Sequence, residues 1–193
     1  MTRCEWADGH PLLRDYHDQE WGVFTRDRER LFEMLILESV QAGLSWLTVL
    51  KRRPAYREAF QGFRPEVAAA WTDQQLADFM NTPGIIHNRA KIASHRSNAQ
   101  AFLLVEEEFG GFDQYLLQWT GHGVLHHAFE KPEQVPAQSP ESERLSRDLM
   151  KRGFRFVGPT ICYSFLQAIG LATDHLIGCF RYTQLGVSTG SNL

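Results

Sequence analysis

LSRDLMKRGFRFVGPTICYSFLQAIG, residues 145–170, is the stretch on which the fold turns. Its first part carries helical spacing up to Lys151-Arg152, where Gly153 breaks the pattern. Pro159 then follows Gly158 and opens a second helix at the first helical position, where the N–H that proline lacks is not needed. Two helices joined by a short turn with glycine at each end form a helix-hairpin-helix unit. Gly153 and Gly158 allow backbone N–H groups a close approach, and the helix start at Pro159 suits a phosphate oxygen. Arg155 between them, with Lys151 and Arg152 alongside, adds attraction to DNA that does not depend on sequence. An αα-hairpin packed into a core would use the same residue types, so the pattern alone leaves both readings open.

Working outward, Ser139-Pro140 supplies an N-cap and a proline at N1 for the first of these helices, expected to run to about Arg152. Residues 28–42 repeat apolar side chains at helical spacing, and 88–108 carry a long helical pattern stopped by Gly110-Gly111. Shorter helical stretches fall at 45–51, 57–60, 65–70 and 73–80. Alternating strand patterns and Asn-Gly hairpins are missing, so the expected fold class is all-α. The Pro- and Gln-rich segment 130–139 reads as a linker, and 184–193 holds too little apolar surface to be ordered. The expected organisation is one domain over 1–183, built of two helical lobes sharing a cleft, followed by a disordered tail.

With 193 residues the chain can bury a sizeable core. No apolar run approaches the roughly 20 residues of a membrane helix. MTRCEWADGH at the start lacks the apolar stretch of a secretory signal, so a cytoplasmic protein without membrane contact is expected. The net charge of −3 argues mildly against nucleic acid, yet Lys51-Arg52-Arg53, Arg89 with Lys91, and Lys151-Arg152 with Arg155 are local basic clusters. They could form a DNA-binding face or an ordinary solvated one.

Two further groups could carry chemistry. Three cysteines cannot all pair, and in a reducing compartment they read as thiols or metal ligands. Cys4 and His17 lie near one end, His175 and Cys179 near the other. The i, i+4 spacing of the second pair is expected to place both on one helix face. Two thiolates and two imidazoles make the donor set of a closed zinc site clasping the chain ends, although buried cysteines beside surface histidines would fit the spacing equally well. Glu38 continues the stripe of Leu31, Met34 and Leu35. A carboxylate on a buried stripe must be paired, protonated or functional, and Trp46, Tyr16, Trp6 and Trp21 supply aromatic walls for a small-ligand pocket. A slight rotation of the helix would instead bring Glu38 to solvent.

Taken together, these residues resemble the bacterial 3-methyladenine DNA glycosylase type I family. The likeness runs from position 4 to position 179 through Cys4-Glu5-Trp6, YHDQEWG at 16–22, ESVQAGLSW at 38–46, GIIHNR at 84–89, KRGFRFVG at 151–158, ICYSF at 161–165 and DHLIGC at 174–179. The resemblance implies the helix-hairpin-helix glycosylase fold, with Cys4, His17, His175 and Cys179 as ligands of a structural zinc that joins the N- and C-terminal segments. It implies that Glu38 contacts a flipped base between Trp46 and Tyr16, and that Gly43-Leu44 intrudes into the duplex. Leu13 stands where the family commonly carries a tyrosine of the base pocket.

The activity so implied is hydrolysis of the N-glycosidic bond of alkylated adenine, chiefly 3-methyladenine, in double-stranded DNA. A free base and an abasic site are the products, and a monomer is expected. Two other classes compete: a DNA-binding module without catalysis, which needs no pocket around Glu38, and a zinc hydrolase, which needs an open metal position.

Overall fold

The computed structural model describes residues 2–186. Its helices are α1 (Pro11–Gln19), α2 (Arg28–Gln41), α3 (Trp46–Ala59), α4 (Pro65–Ala69), α5 (Asp73–Phe79), α6 (Arg89–Phe109), α7 (Phe112–Leu117), α8 (Pro140–Lys151), α9 (Pro159–Ala168) and α10 (Phe180–Gly186). Local chemistry sets many of their ends. Asp27, Ser45, Asn88 and Ser139 each accept a backbone N–H at a helix start. Gly110, at φ 75°, ends α6 in the left-handed conformation that glycine adopts without strain.

The expected helical class holds, with one small exception. Leu125–His126 (β1) and Ala172–Thr173 (β2) form a parallel pair, Leu125 opposite Ala172. Two-residue strands leave no periodicity to read, so only the tertiary structure reveals them. The two helices expected at 45–51 and 57–60 are one rod, α3, which runs through Pro54. Proline removes one backbone hydrogen bond, but Val49, Leu50 and Tyr56 on either side of it are buried, and packing holds the halves in line.

At the centre lies α2, every residue of which from Leu31 to Val40 is buried. A helix apolar on one stripe only would face solvent on the other; α2 is instead enclosed by α3, α6, α7 and α9. The expected tail is shorter than the sequence reading placed it: Gln184 falls inside α10, which runs to Gly186 and brings Leu185 against the turn at Gly22. The rest of that expected tail lies outside the described residues. Among the described residues no helix is long and apolar enough to cross a membrane.

The 153–158 hairpin links α8 to α9, and these two helices pack on each other. Gly153 sits at φ 93°. Phe154 and Val157 point into the core, while Arg155 is exposed. Asn98 of α6 clamps the turn, accepting from the Arg155 N–H at 2.8 Å and donating to its carbonyl at 3.0 Å. Ser146 Oγ donates to the Val157 carbonyl at 2.7 Å.

Candidate active site

Glu38, in the third turn of α2, is 3% exposed and opens onto a cavity of about 470 Å³. The walls include Tyr16 from α1, Trp21 just after it, Trp6 from a short 3-10 turn, and Trp46 at the start of α3. All five residues expected at a base pocket therefore line one cavity. The Tyr16 and Trp46 ring centroids are 5.2 Å apart and tilted by 55°, and Trp6 meets Trp21 edge-on at 5.1 Å. Trp6 is 39% exposed and forms the rim. Leu13 packs against the core without lining the cavity.

The electrostatics set Glu38 apart. Burial pushes its carboxyl up to about 8, offset weakly by Arg30, and its Oε2 has no hydrogen-bond partner. Trp46 Nε1 is likewise buried without an acceptor. An aromatic-walled cavity with an unmatched acid at its wall can take a ligand that carries a hydrogen-bond donor or a positive charge.

Sequence reasoning missed part of the wall. Pro132 and Val135 come from the supposed linker, and Ser164, Gln167 and Asp174 complete the far side. Ser164 and Gln167 are three apart on α9, a spacing that could have marked a shared face. Asp174 is 2% exposed and fully engaged: Tyr163 Oη and Gln167 Nε2 donate to one oxygen, and His127 Nδ1 meets the other, each at 2.6 Å.

Behind Trp6 and Trp21 the ligand atoms of Cys4, His17, His175 and Cys179 lie within 4.8 Å of one another, all four residues buried. Cys179 Sγ is 3.4 Å from His17 Nε2 and 3.6 Å from His175 Nδ1, and Cys4 Sγ is 3.9 Å from His175 Nδ1. A tetrahedral zinc with sulfur at ~2.3 Å and nitrogen at ~2.0 Å spaces its ligands by about 3.5 Å. The remaining ring nitrogens are oriented from behind: His17 Nδ1 by the Asp18 carboxylate at 2.8 Å, His175 Nε2 by the Trp21 carbonyl at 3.0 Å. The residues fit a metal of this kind. One expectation is corrected: His175 and Cys179 lie in a turn, closed by the Cys179 N–H on the Leu176 carbonyl at 2.7 Å, not on a helix. A turn of this length brings i and i+4 together much as a helix does. Cys162 is buried elsewhere, against the Val157 carbonyl.

Gly43 and Leu44 form the tip between α2 and α3, separated from the cavity residue Gln41 by the C-cap Ala42. Gly43 is exposed at φ 79°, with open space around its Cα. The hairpin glycines Gly153 and Gly158 also face open space. Of the basic clusters, Arg53, Lys91 and Arg152 turn inward to protein acceptors, leaving Lys51, Arg52, Arg89, Lys151 and Arg155 exposed.

Comparison with known proteins gives one answer. The family model for methyladenine glycosylase matches residues 6–182. DNA-3-methyladenine glycosylase 1 of Escherichia coli (strain K12) is 43% identical over 182 residues, covering 94% of this chain and 97% of that protein. A crystal structure of 3-methyladenine DNA glycosylase I superposes with a TM-score of 0.90 at 43% identity, covering 93% of this chain and 98% of the other. A variant of 3-methyladenine DNA glycosylase I solved in complex with 3-methyladenine gives 0.90 at 37% identity, covering 93% and 97%. With the family model matching residues 6–182 and the fold shared over 93% of its length, the chain belongs to the methyladenine glycosylase family.

Proposed function

We propose that this protein is a base-excision repair glycosylase that flips alkylated adenine, chiefly 3-methyladenine, out of double-stranded DNA and hydrolyses its N-glycosidic bond. The observation that carries this reading is Glu38, an acid with a buried, unpartnered oxygen at the wall of an aromatic cavity. Methylation at N3 makes the attached adenine cationic and weakens its bond to the sugar, so the leaving base needs no proton from the enzyme. What the site must supply is recognition and the few kcal/mol of unstacking. Tyr16 and Trp46 stack on a cationic ring, and Glu38 accepts from the exocyclic amine, ionising as the positive charge arrives. Trp6 and Trp21 close the rim. Water then attacks the sugar, and the products are the free base and an abasic site.

In this reading Gly43-Leu44 fills the place the base leaves. The start of α9 at Gly158 takes the phosphate backbone, the exposed Arg155 side chain adds its charge, and Gly153 shapes the turn that presents them. Cys4, His17, His175 and Cys179 would hold a structural zinc, which supplies no reaction chemistry because four protein ligands leave no open position. The enzyme works as a cytoplasmic monomer, a single domain that includes α10, with the pocket in the cleft between two helical lobes. The test is to incubate the protein with alkylated duplex DNA and identify the bases set free. Release of 3-methyladenine is expected; release of no alkylated base would leave a DNA-binding module.

A further inference from the structure

Lys91 occupies the first turn of α6, and two physical costs attach to it there. Its side chain is 6% exposed, and an ammonium loses hydration when buried. A cation at a helix start also faces the positive end of the helix dipole. Burial accordingly holds its pKa below the ordinary lysine value. The residue is nonetheless held firmly in place: Asn88 Oδ1 accepts its backbone N–H at 3.1 Å, and its own carbonyl accepts from Ser94 Oγ at 2.6 Å.

The compensation lies across the core. Lys91 Nζ donates to the carbonyls of Val40 at 2.7 Å and Ala42 at 2.6 Å. These belong to the C-terminal end of α2, where carbonyls lack intrahelical donors and partial negative charge collects. The C-cap, Ala42, has φ −44° and ψ 110°, so the chain leaves α2 abruptly. Beyond it the tip is thinly supported: the Leu44 N–H reaches back to the Gln41 carbonyl at 2.6 Å, and Gly43 faces open space. The ammonium of Lys91 therefore fixes the root from which Gly43-Leu44 projects. The charge acting on Glu38 comes from Arg30, so the influence of Lys91 on the site runs through backbone position.

We propose that Lys91 is a positioning residue for duplex opening: by bonding the last carbonyls of α2 it holds the Gly43-Leu44 tip rigid enough to take the place of the flipped base. This rests on the reading that the tip enters the duplex. A single strand has no stack to open, so the proposal predicts a defect selective for duplex DNA.

The experiment compares excision from one alkylated oligonucleotide, as duplex and as single strand, at saturating enzyme, together with binding of free 3-methyladenine. Lys91→Met removes both bonds to the α2 carbonyls and should slow duplex excision about tenfold, because the loosened tip supports the opened duplex less well. Single-strand excision and free-base binding should stay within about twofold, and amide exchange at Gly43 and Leu44 should quicken. Lys91→Arg, which keeps the donors, should recover most of the duplex rate. Should Lys91→Met not fold, the same ratio measured on Lys91→Gln decides. Leu44→Ala tests the underlying reading and should show the same duplex-selective loss. If Leu44→Ala shows the loss and the Lys91 variants do not, Lys91 is merely structural and the proposal fails alone. A normal Leu44→Ala enzyme overturns both, and equal loss on duplex, single strand and free base overturns the positioning role.

Discussion

Glu33 and Glu38 lie five residues apart on α2, each 3% exposed, and their surroundings give them opposite chemistry. Burial raises the pKa of both, but at Glu33 the guanidiniums of Arg53 and Arg30 outweigh it and hold the carboxyl below the usual range. Arg53, Arg30 and Arg57 all lie within 3.0 Å of its oxygens. Without that carboxylate Arg30 and Arg53 are left to share Glu20, so Glu33→Gln should destabilise the fold by about 1.5–3 kcal/mol. At Glu38 nothing comparable offsets burial, and the carboxyl reaches about 8. The free enzyme therefore holds Glu38 largely protonated at neutral pH. In the proposed role the ionised form accepts hydrogen bonds from the base, so kcat/KM for 3-methyladenine excision should climb as pH rises through about 8 and level off above it. Glu38→Gln should lower excision moderately, weaken free-base binding and abolish that rise. The linkage sign follows from the raised pKa: between the ordinary glutamate range and about 8, the unfolded state sheds a proton that the folded state keeps, so stability falls as pH rises. Glu38→Gln should melt at the same temperature as the parent or higher, with the gain growing toward pH 8. A Glu38→Gln protein that excises normally but melts far earlier would make Glu38 a structural acid like Glu33.

At the scale of elements, the α8–hairpin–α9 unit separates residues held by the fold from residues free for a partner. Gly153 needs its glycine for the backbone, since φ is 93°. Gly158 does not: its φ is −61°, and a Cβ there would meet nothing within 4 Å. Local packing thus gives no reason for glycine at 158, whereas a phosphate against the start of α9 does. Gly158→Val should fold with a near-parental Tm and bind any duplex, damaged or not, more weakly. Arg155→Glu should weaken binding equally across sequences and flatten its salt dependence. Normal duplex binding by a well-folded Gly158→Val protein would reduce the hairpin to a structural turn. The hairpin is otherwise rigid, because Asn98 and Ser146 take up the backbone groups of Arg155 and Val157.

On the scale of the molecule, the Cys/His cluster joins segments 171 residues apart. Nearby, the Phe180 N–H bonds the Thr2 carbonyl at 3.0 Å, and Arg3 grips Asp18, the residue that orients His17. Tethering distant segments removes much of the entropy of the open chain. We expect about one zinc per chain. Cys4→Ser with Cys179→Ser should lose it and lower Tm by at least about 10 °C. Free-base binding should fall with it, because Trp21 carries both a cavity wall and the carbonyl behind His175. Stoichiometric zinc retained in the double variant, measured by elemental analysis, would sink the ligand assignment.

Several helix ends could be read from the chain itself, because capping is local: Ser139, Asn88 and the Gly153–Pro159 punctuation fall where the structure puts them, whereas the length of α3 could not, since packing carries it through Pro54. The position of Glu38 on a buried face was also legible, although the stripe understated a helix enclosed on all sides. The candidate zinc ligands could be named, but their convergence needed the folded chain. The inward turn of Arg53, Lys91 and Arg152 could not be read either, since a basic run looks the same whether it meets solvent or a buried carboxylate or carbonyl. Nor could the wall contributed by Pro132, Val135 and Asp174, because a polar, proline-containing segment has no period to betray what it covers. Those features depend on contacts between residues far apart in sequence, and their energies exist only once the core brings the groups out of water and together.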